Sequence, residues 1–308
     1  GYKFMVVESK PNKCTTCCIH YNNDSVPGTV VQYITCSYVV DDVKDQSNYI
    51  LEPVFWSFKP CIEGFKYCKL IVQVDDTFLT GKYHDTLLTA ISQDGNQNIF
   101  LLAFAIVGGE TKEALIWSNL CMITDKGTTI LSTLQSPEVS SEEDGLTSVY
   151  YIRHIASNFN KRFKNVELKQ KIINMAYDGS KRYGHMTTNL AESINSILKR
   201  ARSLPICALV KTIFEITNAW FVERATEIQC MLRAEHQFPE DIFALLRKNE
   251  TQSDMFKLNE WWCDCGEFQA IRLPCPHVIV VCSFCHLQLT TYVVPVYSLH
   301  NIFKAYEV

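Results

Sequence analysis

Between Leu70 and Val107 the chain holds three apolar runs so close together that few local topologies can join them. LIVQVD (Leu70–Asp75), TLLTAISQ (Thr86–Gln93) and NIFLLAFAIV (Asn98–Val107) are each of strand length, bounded by polar or turn-forming residues. The Asp94-Gly95 signal between the last two is a hairpin turn, whereas parallel neighbours need a crossover of a dozen or more residues. The runs are therefore expected to form an antiparallel meander with a buried centre. The first of them ends on an acid, Asp75.

Beyond the meander the pattern becomes helical. ETKEALIWSNL (Glu110–Leu120) has helical composition, and CMIT (Cys121–Thr124) is a short buried strand followed by Asp125. Ser136–Gly145 is polar and acidic and reads as a loop. Helices are expected at Tyr151–Phe163, at Leu168–Ala176 and at Thr187–Ala201, where Leu190, Ile194, Ile197 and Leu198 fall on one side. Residues 205–249 read as further helix with a break at Pro239. Residues 1–67 show a short strand-like start and no strong periodicity.

The formal charge of −4 comes from 29 basic and 33 acidic residues, and it conceals a split. Tyr151–Lys211 holds twelve Lys/Arg against Glu167, Asp178 and Glu192, a local +9, so the rest of the chain carries −13. A basic segment of that density is a candidate phosphate-facing surface or a solvated helix face. The longest apolar runs, such as Ile99–Gly109, are about half of the ~20 residues a membrane span needs. There is no phosphate-binding glycine loop, nucleophile elbow or dinucleotide fingerprint, so the chemistries those motifs serve have no footing.

The fourteen cysteines are unevenly placed. Cys263, Cys265, Cys275 and His277 spell C-x-C, nine intervening residues, then C-x-H within WWCDCGEFQAIRLPCPHVI. Two thiolates on a tight turn and a thiolate–imidazole pair at a helix start can converge on one tetrahedral Zn²⁺ with no open position, a structural site. Gly266 suits the turn, and Pro274 and Pro276 suit a chain bending into a helix near His277. Cys282 and Cys285, at helical spacing beyond His277, read as packing residues rather than ligands, with Cys282 the one that could compete for the ion. Cys14, Cys17, Cys18 and His20 form a second cluster, too compressed to hold one ion comfortably. The other singly placed cysteines read as small apolar core residues.

Carboxylates at strand ends, joined by one from a helix, can hold two divalent ions roughly 3.5–4 Å apart for phosphodiester transfer. Asp75, Asp125 and Glu192 are candidates, although acids at strand ends are commonplace. The four-ligand spacing resembles the SWIM zinc finger. The stretches Val74–Ala114, Met122–Gly127, Tyr150–Phe159 and Gly184–Ile206 resemble the successive blocks of Mutator-like (MULE, MuDR-type) plant transposases, with the finger following in the family's order.

The resemblance implies an α/β chain: an RNase H-like mixed sheet flanked by helices, a helical connector and a small carboxyl-terminal zinc finger. It implies Asp75, Asp125 and Glu192 as a triad binding Mg²⁺ or Mn²⁺ if the core is active, with DNA as partner, protein partners besides, neither membrane nor small-molecule substrate, and a place in the nucleus. The expected divisions are 1–67, a remnant of an amino-terminal zinc and DNA-binding domain; 68–200, the transposase domain; 201–255, the connector; and 256–308, the finger and tail.

Three departures bear on catalysis. Asp76 follows Asp75 where the family has Gly, and Tyr151 takes the cysteine position of a Cys-x-x-His pair whose His154 is present. The connections after Leu120 and between His154 and Glu192 are short. They favour a transposon-derived binding protein with an inactive core over an active DDE transposase; a decayed gene copy that fails to fold is the third reading.

Overall fold

The computed structural model describes residues 4–5, 27–40, 43–80, 85–107, 121–124, 147–150, 189–250, 258–259, 262–263 and 265–307. In chain order these form β1 (Phe4–Met5), β2 (Val30–Val40), β3 (Val43–Ser57) and α1 (Lys59–Phe65). Next come β4 (Ile71–Phe78), β5 (Thr86–Gln93), β6 (Ile99–Val107), β7 (Cys121–Thr124) and β8 (Thr147–Tyr150). The helices α2 (Asn189–Ile197), α3 (Ile206–Arg233) and α4 (Glu240–Glu250) follow, with a 3₁₀ turn at Leu198–Ser203. A small hairpin, β9 (Leu258–Asn259) and β10 (Trp262–Cys263), precedes α5 (Glu267–Ile271), α6 (Pro276–Phe284) and α7 (Leu299–Tyr306).

The three apolar runs make the antiparallel meander β4-β5-β6, with Asp75 opposite Thr89 and Thr89 opposite Phe104. Every residue of β6 from Phe100 to Val107 is buried, so both faces of this strand are covered, and its sequence is accordingly a continuous apolar run. β7 joins β4 in parallel, ending with Val74 opposite Thr124, and β8 joins β7 in parallel. The sheet is therefore mixed, in the order β1-β3-β6-β5-β4-β7-β8 with β2 on β3. β2 and β3 form a long hairpin that the sequence reading did not identify. Two register irregularities break the pairing of β2 and β3, and such irregularities blur the period-two signal.

α3 is about 42 Å long at 1.5 Å per residue. It buries Leu209, Ile213, Thr217 and Phe221, a stripe at spacing four that turns one helix face to the core. Its Phe214 and Phe221 rings lie 5.4 and 5.5 Å from Phe58 and Phe100, so α3 packs through aromatic pairs on residues flanking β3 and in β6. The break anticipated at Pro239 lies between α3 and α4.

α7 returns the chain end to the same core. The Tyr306 ring sits 5.2 Å from Phe221 and 5.8 Å from Phe100. Two glycines permit this approach: a Cβ on Gly64 would lie 2.3 Å from the Ala305 carbonyl oxygen, and one on Gly95 only 1.9 Å from that of Val296. Beneath α7, Asp94 is fully buried and accepts hydrogen bonds from the Asn98 backbone N–H (2.7 Å), the Asn98 amide (3.1 Å) and the Tyr306 hydroxyl (2.9 Å). Nearby, the buried Lys69 ammonium donates to Gln93 Oε1 at 2.6 Å and lies 5.4 Å from the centre of the Tyr297 ring. Among the described residues, no helix is long and apolar enough to cross a membrane.

The cluster of Cys14, Cys17, Cys18 and His20, the helices expected at 110–120, 151–163 and 168–176, and most of the basic segment lie outside the described residues.

Candidate metal centre and the face of the central strand

The finger is built around a turn. β10 delivers Cys263, whose carbonyl oxygen accepts from the Gly266 N–H at 2.9 Å and from the Gln269 side-chain amide at 2.7 Å. Gly266 has φ +75°, a left-handed conformation that its missing Cβ makes inexpensive, and α5 starts from it. Arg272 ends α5, also left-handed, and Pro274 leads to Cys275, the residue capping α6. Pro276 opens α6 where a helix needs no N–H, which puts His277 in its first turn.

These bends bring Cys263, Cys265, Cys275 and His277 together, with their four ligand atoms all within 4.8 Å of one another. Nδ1 of His277 lies 3.6 Å from the Cys263 sulfur and 3.9 Å from that of Cys275. Zinc bond lengths with tetrahedral angles require sulfur–nitrogen separations of about 3.6 Å and sulfur–sulfur separations of about 3.8 Å. The two sulfur–nitrogen separations lie close to those values, so the donor set suits a zinc ion. Burial pushes the Cys263 and Cys275 thiols up, and the neighbouring Cys265 adds to the effect at Cys275. As free thiols they hold their protons at neutral pH; a bound cation reverses that balance by stabilising thiolates.

Cys282 is buried with Phe268 and Val278 in a small cluster under the site, while Cys285 is exposed. Neither belongs to the four-residue group. Cys282 packs as expected, whereas Cys285 does not: it follows the end of α6 and faces outward. The finger is also braced from both sides in sequence. Phe238, Ile242 and Leu246 of the α4 region pack with Leu273, Val293, Val296 and Tyr297. The Asn249 amide donates to the Pro274 carbonyl (3.0 Å), and the Tyr297 hydroxyl to that of Ile271 (2.7 Å).

The second set of candidates lies on β4. Asp75 is half-buried, and its Oδ2 accepts from the Asn195 side-chain amide at 2.6 Å, a contact spanning 120 residues of sequence. Two residues along the same strand face, the Arg202 guanidinium donates to the Thr77 hydroxyl. The N–H of Thr80 in turn donates to the Arg202 carbonyl at 2.9 Å. Glu192 falls in α2, three residues before Asn195 and hence a neighbouring position on that helix. Asp125 lies outside the described residues; β7 is described as far as Thr124.

The sequence reading missed Asn195 and Arg202. The only signal for Asn195 was its position one helical turn beyond Glu192, and Arg202 was counted merely as one charge in a basic segment.

Residues 71–140 match the MULE transposase domain and residues 245–286 the SWIM zinc finger. Neither a curated protein nor a solved structure matches the chain. The first match contains the meander and Asp75, and the second contains all four clustered candidate ligands together with the end of α4 that braces them. With a MULE transposase domain followed by a SWIM zinc finger, the chain matches a MULE-type transposase that carries a SWIM finger.

Proposed function

We propose that this chain is a transposon-derived zinc protein that binds DNA through a transposase-type core whose catalysis is lost or impaired. The observation that carries the reading is the convergence of Cys263, Cys265, Cys275 and His277 at zinc-compatible separations, in a finger that follows a transposase domain. Zinc would act there as a structural cross-link among four protein ligands, with no site left for substrate. A mixed sheet flanked by helices supports an RNase H-like core, and a DNA partner is in keeping with work in the nucleus. The test is DNA binding by the zinc-loaded full chain over a range of salt concentrations. Affinity for duplex DNA that falls steeply with salt is expected, and no binding even at low salt overturns the reading.

One observation favours a second reading, an active metal-dependent transposase. The Asn195–Asp75 hydrogen bond holds the helix of Glu192 against the strand of Asp75. β7 pairs with β4 as far as Thr124 opposite Val74, the residues that precede Asp125 and Asp75 in the sequence. Strand nicking with Mg²⁺ or Mn²⁺ that disappears in Asp75→Asn would establish this reading. Absence of nicking under both metals would leave the binding protein.

A further inference from the structure

The segment from α2 through the 3₁₀ turn is attached to β4 along one side and open along the other. Ile194, Leu198 and Ala201 are buried against the sheet core, at 2, 3 and 4 % exposure. Two polar rungs fix its register: Asn195 on Asp75, and Arg202 on Thr77 with the Thr80 N–H on the Arg202 carbonyl. The 3₁₀ turn itself is closed by the Leu204 N–H on the Ala201 carbonyl at 3.0 Å and the Ser203 hydroxyl on the Arg200 carbonyl at 3.2 Å.

Lys199 and Arg200 lie in the chain between the two rungs, and both are exposed, as are Ser196 and Ser203 beside them. From Ser193 to Pro205 there are three cations and no acid. Strand alternation sends the exposed Asp76 to the face of β4 opposite the one that carries Asp75 and Thr77. The result is a seated, cationic edge along the strand that holds Asp75, its hydroxyls interspersed with the exposed apolar side chains of Ile197 and Leu204. Cations and hydroxyls are the side chains that contact nucleic-acid phosphates, and a pre-ordered edge loses little entropy on binding.

We propose that Lys199 and Arg200 form a phosphate-contact edge that seats the backbone of duplex DNA alongside the Asp75 strand. This rests on the DNA-binding reading above and assigns that binding to a particular surface. It is tested with the zinc-loaded full chain and a short random-sequence duplex, followed by fluorescence anisotropy between about 50 and 200 mM salt. Each neutralised phosphate contributes about 0.9 to the slope of log affinity against log salt, so Lys199→Ala/Arg200→Ala is expected to flatten it by about 1.8.

The charge-keeping pair Lys199→Arg/Arg200→Lys should retain the slope. Lys211→Ala, on α3 and engaged with Glu215 at 3.8 Å, should leave it unchanged. Wild-type binding with the same slope in the double alanine variant overturns the assignment alone. Flattening by about 0.9 in Lys211→Ala, the full effect of one phosphate contact, also overturns it, because a diffuse field rather than this edge would then be responsible. A wild-type chain that binds no DNA removes the assignment and the functional reading together.

Discussion

Replacing Cys275 by Ala should separate the finger from the rest of the fold. Cys275 is fully buried, its sulfur lies 3.9 Å from His277 Nδ1, and it caps α6, so the change removes a candidate ligand from the centre of the site. The buried cluster beneath is small: Cys263, Phe268, Cys275, Val278 and Cys282. Fully burying Phe268 and Val278 supplies only about 1.5–3 kcal/mol each, whereas structural zinc contributes roughly 10–16 kcal/mol in finger peptides. That figure is comparable with the ~5–15 kcal/mol that holds an ordinary domain together, so the finger should not stay folded without an ion.

The anchors of α7 do not pass through the metal: Tyr306 is held by Asp94, Phe100 and Phe221. The expected result is one zinc per wild-type chain by colorimetric release. The variant should hold far less than one zinc under a competing chelator. Hydrogen exchange should show amide protection lost across α5 and α6 while β4, β5, β6 and α7 keep theirs. Protection at Val278 and Cys282 that survives complete metal removal would refute the reasoning, because the small cluster would then suffice. Collapse of β6 protection would refute the claimed independence of the core.

Burial pushes the Lys69 ammonium down from 10.5 to about 8, with Asp94 and Cys68 pulling the other way. Between about pH 8 and 10.5 the unfolded chain binds this proton more tightly than the folded one, so this residue makes stability rise with pH in that window. The contribution is of order 3 kcal/mol, and it should appear as a gain of wild type over Lys69→Met in denaturant titrations at pH 8 and 10.5. A constant difference between the two proteins would contradict it. Tyr306→Phe keeps the ring and removes a donor to the buried Asp94, so a loss of about 1.5–3 kcal/mol is expected in the same titrations. Gly95→Ala places a Cβ 1.9 Å from the Val296 carbonyl oxygen and must displace backbone. It should cost about 1–3 kcal/mol or more, and an unchanged melting temperature would show that the hairpin and the turn before α7 do not meet this closely.

The candidate zinc ligands were legible because they lie within fifteen residues of chain, from Cys263 to His277, where turn and helix-start residues fix how the side chains meet. The meander was legible for the same reason: β5 spans Thr86–Gln93, the run read from sequence, and β6 begins one residue later than expected. Alternation and a two-residue turn signal are local properties of a chain. Asn195 was not legible as the partner of Asp75, since their contact closes 120 residues and depends on how α2 seats on the sheet.

The sequence by itself determined the local pieces: apolar runs that must be strands, a helix whose Ile194 and Leu198 are buried, and a four-ligand spacing suited to one ion. Ile197, expected on the same side, is 45 % exposed because the α-helix ends there and passes into a 3₁₀ turn. Only the tertiary structure decided how they combine. It adds β7 and β8 in parallel beyond β4, folds β2 and β3 onto β6, and brings α7 back to bury Asp94 and Lys69. Those choices rest on contacts between distant segments, where packing volume and the pairing of buried polar groups outweigh any preference a short stretch can express.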